Sequence, residues 1–305
     1  MTAPRPSLIF PTKEVAVEAS AITAIATAAE RCGYHRIVVS DHVLGVSHDD
    51  RPKPLFGLYD HTTPFHEPLA LLAYLAGITS TVELATGVLV LPQRQVAVVA
   101  KQALQIDMMS GGRFVLGVGA GWNYVEYEAL GADFESRGAM LDEQIGLLRT
   151  LWTEPLIDFS GRFHHLDRVA LAPLQDRRIP IWVGGYSPPA LRRAAAVGDG
   201  FIFSGRSPAT RAQAAQLQAQ TRRRRGWSAE ATLPVEVWLG YDDGPDVWAR
   251  EIELWRPLGC VSVALRTSTA AGRQATPARP PRLELSEHLE AIEHFAEWFR
   301  EQVGD

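Results

Sequence analysis

Short β-branched runs alternate with longer Ala- and Leu-rich stretches from one end of this chain to the other. That alternation restricts the chain to folds made of βα units around a parallel sheet. Residues 7–10, 36–40, 82–91, 113–118, 179–183, 200–204, 234–239 and 261–265 read as strands. Residues 18–32, 68–78, 96–109, 139–152, 188–197, 210–225, 246–255 and 287–302 read as helices. In Leu141, Ile145, Leu148 and Trp152 the apolar residues recur every three or four positions, with Asp142, Glu143 and Arg149 between them. Eight strands, each followed by a helix, match a (β/α)8 TIM barrel in a single domain over residues 1–305, with insertions in the rim loops.

Three connections exceed what a compact fold needs: residues 45–66, 155–174 and 267–285. The first and third follow strands two and eight and belong at the C-terminal rim, where barrel enzymes keep their chemistry. The second reads as a small hairpin around Phe159-Ser160-Gly161-Arg162-Phe163, and the run Arg222 to Arg225 as a solvated helix end.

Charge and hydropathy narrow the function. With 46% hydrophobic and 21% charged residues the 305-residue chain can bury a large core, and no apolar run approaches the roughly 18 residues of a spanning helix. The net charge is −5, from 30 Lys and Arg against 35 Asp and Glu, so nucleic acid is not an expected partner. Two cysteines, Cys32 and Cys260, make no disulfide framework, and no charged-then-apolar leader precedes Leu8. A cytoplasmic protein without membrane attachment is the expectation.

The chemistry belongs at the strand ends. Gly117-Val118-Gly119-Ala120-Gly121-Trp122 is no dinucleotide fingerprint, because Trp122 fills the place of the third glycine. In a barrel, small residues there let a flat ligand lie against the backbone, or make tight turns. Ser40-Asp41-His42 ends strand two and aims polar groups at the mouth, where they could orient a cofactor, contact substrate, bind a metal or satisfy each other. No metal site is expected, since strand one ends Phe10-Pro11-Thr12 without paired histidines, and the other histidines lack ligand spacing. Gly184-Gly185-Tyr186-Ser187 before a helix, with Arg206 on the next loop, suits a phosphate held by helix-terminal amides and a cation, or is a plain turn beside a surface charge. Trp152, Trp182, Trp238 and Trp255 read as core, whereas Trp122 stands at the rim. No Gly-x-Ser-x-Gly elbow, His-Glu-x-x-His helix or Walker loop is present.

Five segments in register carry a resemblance. They are Asp41-His42, Ala85-Thr86-Gly87-Val88-Leu89-Val90-Leu91-Pro92, Asp107-Met108-Met109-Ser110-Gly111-Gly112-Arg113, Leu116 to Trp122, and Pro180-Ile181-Trp182-Val183-Gly184-Gly185. Together the chain resembles the bacterial-luciferase-like oxidoreductases, (β/α)8 barrels that use FMN or the deazaflavin coenzyme F420, often as dimers. The stretch from Arg137 to Trp152 and Leu258-Gly259-Cys260-Val261-Ser262-Val263 are more similar to the deazaflavin branch. The resemblance implies that Asp41 and His42 contact the ring system. It implies a non-prolyl cis peptide at Gly87-Val88 against one ring face, backbone contacts from Ala120 and Gly121, and phosphate contacts from Gly184, Gly185 and Arg206. Where the sugar-phosphate dehydrogenases of that branch place a catalytic glutamate, this chain has Trp122, and Val46 stands near the position of their tryptophan. The expected activity is hydride transfer between F420 and a small, apolar organic substrate in a homodimer. His42 is the nearest proton donor, and Trp122 shapes the pocket. An FMN-dependent monooxygenase is the alternative, and a non-catalytic cofactor-binding barrel a more remote one. Arg51, Lys53, Arg206 and Arg266 are the rim cations for the F420 polyglutamate tail.

Overall fold

A computed structural model describes residues 3–15, 18–55, 59–268 and 283–304. Most of the expected rim loop 267–285 lies outside the described residues.

The strands are β1 (Arg5–Ile9), β2 (Arg36–Val39), β3 (Glu83–Thr86), β4 (Leu89–Val90), β5 (Phe114–Gly119), β6 (Ile157–Ser160), β7 (His165–Val169), β8 (Ile181–Gly184), β9 (Gly200–Phe203), β10 (Val235–Gly240) and β11 (Cys260–Arg266). Pairing runs in parallel through β1, β2, β3, β5, β8, β9, β10 and β11, and β11 returns to β1, so the sheet closes as a (β/α)8 barrel. The helices are α1 (Ala19–Arg31), α2 (Pro68–Ile78), α3 (Val96–Met109), α4 (Tyr124–Ala129), α5 (Arg137–Thr153), α6 (Pro188–Val197), α7 (Pro208–Arg225), α8 (Pro245–Trp255) and α9 (Leu285–Val303). α2, α6, α7 and α8 each carry proline in the first helical positions, where an N–H would have no intrahelical partner. Their apolar faces bury Leu72, Leu75, Leu191, Ala194, Leu217 and Trp248 against the outside of the sheet.

Three expectations need correction. Residues 82–91 form two short strands rather than one, because a cis peptide at Gly87–Val88 interrupts the ladder. α4 was not expected as a helix, since six residues are too few for the apolar periodicity to show. The run at the end of α7 is not simply solvated, for Arg225 donates to the carbonyls of Ala194, Ala195 and Gly198 and caps the end of α6. The hairpin expected within 155–174 is present as β6 and β7, paired antiparallel.

The barrel interior is filled from one end. Arg36 opens β2 and donates to Glu83 Oε2 at 2.8–3.0 Å and to Glu236 Oε2 at 3.2 Å, with its guanidinium 4.3 Å above the Trp182 ring. Ser262 and the Trp238 indole donate to the same Glu236, whose side chain is wholly buried. Val38, Ala85, Val115, Trp182 and Ile202 form an apolar layer inside the barrel, and Val88, Trp238 and Val261 pack on it. Among the described residues the N-terminal end is therefore filled, and a cavity opens at the C-terminal end.

Candidate functional site

The strand ends enclose a cavity of about 520 Å³, a size that suits a small organic ligand. Its floor is made by the chain's own bulge. Val88 reaches between β5 and β8: a Cβ on Gly119 would lie 2.5 Å from Val88 Cγ2, and one on Gly184 2.7 Å from Val88 Cγ1. Gly119, in the run expected to admit a flat ligand or to make tight turns, gives room to Val88, as does Gly184 on the phosphate side. Gly121, at φ +63°, turns the chain beside Val90 and brings Trp122 to the rim, 37% exposed. The Ala120 carbonyl accepts a 2.7 Å bond from Tyr127 Oη.

Asp41 and His42 do not satisfy each other. Asp41 is wholly buried at the end of β2, where Oδ2 accepts from the Val90 N–H at 2.8 Å and Oδ1 from Arg94 at 2.7 Å. Burial pushes its carboxyl up, against the opposing pull of Arg94. His42 turns the other way, with Nδ1 at 3.3 Å from Glu126 Oε2. Glu126 Oε1 accepts from the Val43 and Leu44 N–H groups at 2.5 and 3.0 Å. Burial works against the Glu126 carboxylate, but the bonds from His42, Leu44 and Val43 outweigh it and hold the group below its ordinary range. A carboxylate facing Nδ1 calls for a proton on that nitrogen, and Nε2 has no hydrogen-bond partner among the described residues.

Around His42 the rim is aromatic. Tyr59 and Phe65, both from the long loop after β2, lie 4.8 Å from the imidazole, and Trp122 lies at 5.7 Å. Lys13, just past β1, holds its ammonium 4.0 Å from the Tyr59 ring centre. Burial, then the nearby Arg266 charge, push its pKa down to about 8. Tyr59 is itself pushed up by burial.

Across the mouth the expected phosphate site is assembled differently from the expectation. The first turn of α6 supplies no donors: Pro188 and Pro189 have no N–H, and Ala190 N already bonds Ser187 O at 2.9 Å. Backbone donors on this side must come from the loop of Gly185, Tyr186 and Ser187, in which Gly185 has φ +134°. Arg206 ion-pairs with Asp243 through Nη2, while its Nη1 is buried with no hydrogen-bond partner among the described residues. Of the other expected rim cations, Arg51 donates to the Ser47 carbonyl, Lys53 lies over the Tyr124 and Phe134 rings, and Arg266 lines the cavity itself. Among the described residues no group of three or more His, Cys, Asp or Glu side chains is placed to hold a metal.

Sequence reasoning missed Glu126, Lys13 and Tyr59. Asn123-Tyr124-Val125-Glu126 reads as a helix-capping pattern. Asn123 does cap, accepting from Glu126 N at 3.2 Å, but the glutamate side chain reaches His42 instead of closing the box.

A family model described as luciferase-like monooxygenase matches residues 7–296. An uncharacterized protein of Mycobacterium tuberculosis is 34% identical over 224 residues, 72% of this chain and 76% of that one. An F420-dependent glucose-6-phosphate dehydrogenase of Gordonia bronchialis is 29% identical over 243 residues, 77% of this chain and 68% of that one. Among solved structures, the monooxygenase RslO1 of Streptomyces bottropensis superposes with a TM-score of 0.74 at 18% identity, covering 96% of this chain and 98% of that one.

Proposed function

The chain belongs to the luciferase-like monooxygenase family, and from that premise we propose that it is an F420-dependent oxidoreductase acting on a small organic substrate with a largely apolar body. One observation carries the reading: an apolar bed built on Val88 lies in a cavity that the loop residues Tyr186, Ser204 and Gly205 also line. That pairing fits a cofactor with a flat ring system and a phosphate.

The choice of F420 draws support from the Gordonia relative, named as F420-dependent. Arg51 and Lys53, on the loop after β2, suit the carboxylates of a polyglutamate tail. Arg206 and the loop of Gly184 and Gly185 would hold the phosphate, and Val88 would support the ring. When bound, the deazaflavin supplies two-electron hydride chemistry.

The protein's own residues position and shield. His42, held through Nδ1 by Glu126, keeps Nε2 as the nearest proton-exchanging atom at the aromatic rim. Trp122 has only an indole N–H and transfers no proton, so it serves as a wall that excludes water from the transfer site. With Trp122 in that place, glucose-6-phosphate is not the proposed substrate. Proposed with it are a homodimeric, cytoplasmic protein and no metal requirement.

Titrating the apoprotein with F420 and with FMN under identical conditions tests the reading. The expected result is tighter binding of F420, weakened by salt as screened charge pairs are. Equal or tighter FMN binding would transfer the proposal to an oxygen-using monooxygenase.

A further inference from the structure

The cavity holds more charge than the proposed chemistry consumes. Of its three acidic wall residues, Asp41 is engaged by Arg94 and Glu126 by His42 and two amides, while Glu14 Oε2 lies 3.4 Å from His288 Nε2 without a hydrogen bond to it. Lys13 is different. Among the described residues no carboxylate lies within 4 Å of its ammonium, and its close partner is the face of Tyr59. Its electrostatic neighbours are Arg266, at the end of β11 and in register with Ile9, and Glu14 beside it in sequence. Burying an ammonium without a carboxylate is costly, and the downward shift of the Lys13 pKa to about 8 expresses that cost.

Position separates this charge from the phosphate side. Around the closed barrel, β1 and β8 are four strands apart in either direction, so Lys13 and the Gly184–Gly185 loop stand at opposite walls. Tyr59, against which Lys13 lies, packs 4.8 Å from His42 and 6.4 Å from Trp122.

We propose that Lys13, with Arg266 beside it, forms a carboxylate-binding subsite, so that the substrate is a small acid with a flat, apolar or aromatic body and one anionic head. The body lies along Tyr59 and Trp122, and the head takes the charge-assisted bond that no described residue gives Lys13. The assignment to the substrate rests on the F420 reading above, whereas the subsite itself rests on Lys13 and its surroundings. The same chemistry has a second source, a carboxylate of the cofactor tail.

Benzoate and its neutral isostere benzamide separate these sources. Each is titrated by calorimetry into the wild-type protein and into Lys13→Met and Lys13→Arg variants, with and without saturating F420. The expected result is benzoate binding that is at least about tenfold weaker in Lys13→Met and retained in Lys13→Arg, with benzamide indifferent to both changes. F420 affinity should be the same in all three proteins. Loss of F420 affinity in Lys13→Met with benzoate unaffected assigns the subsite to the cofactor and overturns the proposal. So does equal loss of benzoate in Lys13→Met and Lys13→Arg, or equal binding of benzoate and benzamide to the wild type. Failure of F420 to bind any of the proteins overturns the cofactor reading alone, because the cofactor-free benzoate arm still reports on Lys13.

Discussion

The two ends of the barrel use the same ingredients, buried charges next to tryptophan, and finish them differently. At the closed end Arg36 spends its donors on Glu83 and Glu236, and Glu236 is completed by Ser262 and Trp238. At the open end, among the described residues, Arg206 keeps one buried nitrogen without a hydrogen-bond partner and Lys13 lies against the Tyr59 ring with no carboxylate in contact. A polar network that is fully satisfied fixes a structure, while one left incomplete in a cavity marks where a ligand completes it.

The largest expected effect lies at the closed end. Arg36→Met leaves the wholly buried Glu236 carboxylate without its cation, and breaking a buried pair in this way costs about 3–5 kcal/mol. Urea unfolding should show that loss, with the affinity of the folded protein for F420 kept. An unchanged urea midpoint would erase the distinction between the two ends.

At the open end the expectation reverses. Arg206→Ala removes a charge-assisted bond of about 1.5–3 kcal/mol to the ligand, so the F420 dissociation constant should rise by about tenfold or more while thermal stability barely moves. Trp122→Ala, after β5 and two strands away from β9, should cut turnover with little change in that constant. A large stability loss with unchanged affinity in Arg206→Ala would make Arg206 part of the scaffold.

The smallest effect concerns acid. Burial pushes the Glu83 carboxyl up, but the His35 hydrogen bond and the Arg36 charge outweigh it and hold the group at about 2. Its folded pKa lies below the ordinary 4.5, so the stability it contributes is present above 4.5 and disappears as pH falls from there towards 2. Glu126 acts with the same sign and a smaller shift, from the open end. Urea melts between pH 5 and 2 should therefore flatten more in Glu83→Gln than in Glu126→Gln, and the reverse order would place the acid-sensitive charge at the mouth.

What the sequence made legible follows the range of the interactions. The barrel is written in local alternation, and Asp41, His42, Trp122, Gly184 and Arg206 all sit within a few residues of a strand end. The cis peptide at Gly87–Val88 is where the resemblance placed it. Residues that depend on long-range contact stayed hidden. Glu126 meets His42 across 84 positions, Tyr59 comes from an irregular loop, and Lys13 acquires meaning only when Tyr59 lies over it. The Arg36 network escaped notice for the same reason, since Glu236 is 200 positions away. Nothing local shows that Val88 occupies the space beside Gly119.

That valine has a consequence for how such a chain can change over generations. With Val88 seated between Gly119 and Gly184, a methyl group at either glycine collides with it, and shrinking the valine first leaves a hole in a packed floor. Each single replacement is a step down, although a coordinated exchange of a smaller residue at 88 for a larger one at 119 or 184 conserves volume. The three positions form an epistatic unit. A mutational walk that seeks a new substrate by enlarging or reshaping this barrel will move along the rim, at Tyr59 and Trp122, long before it moves the floor.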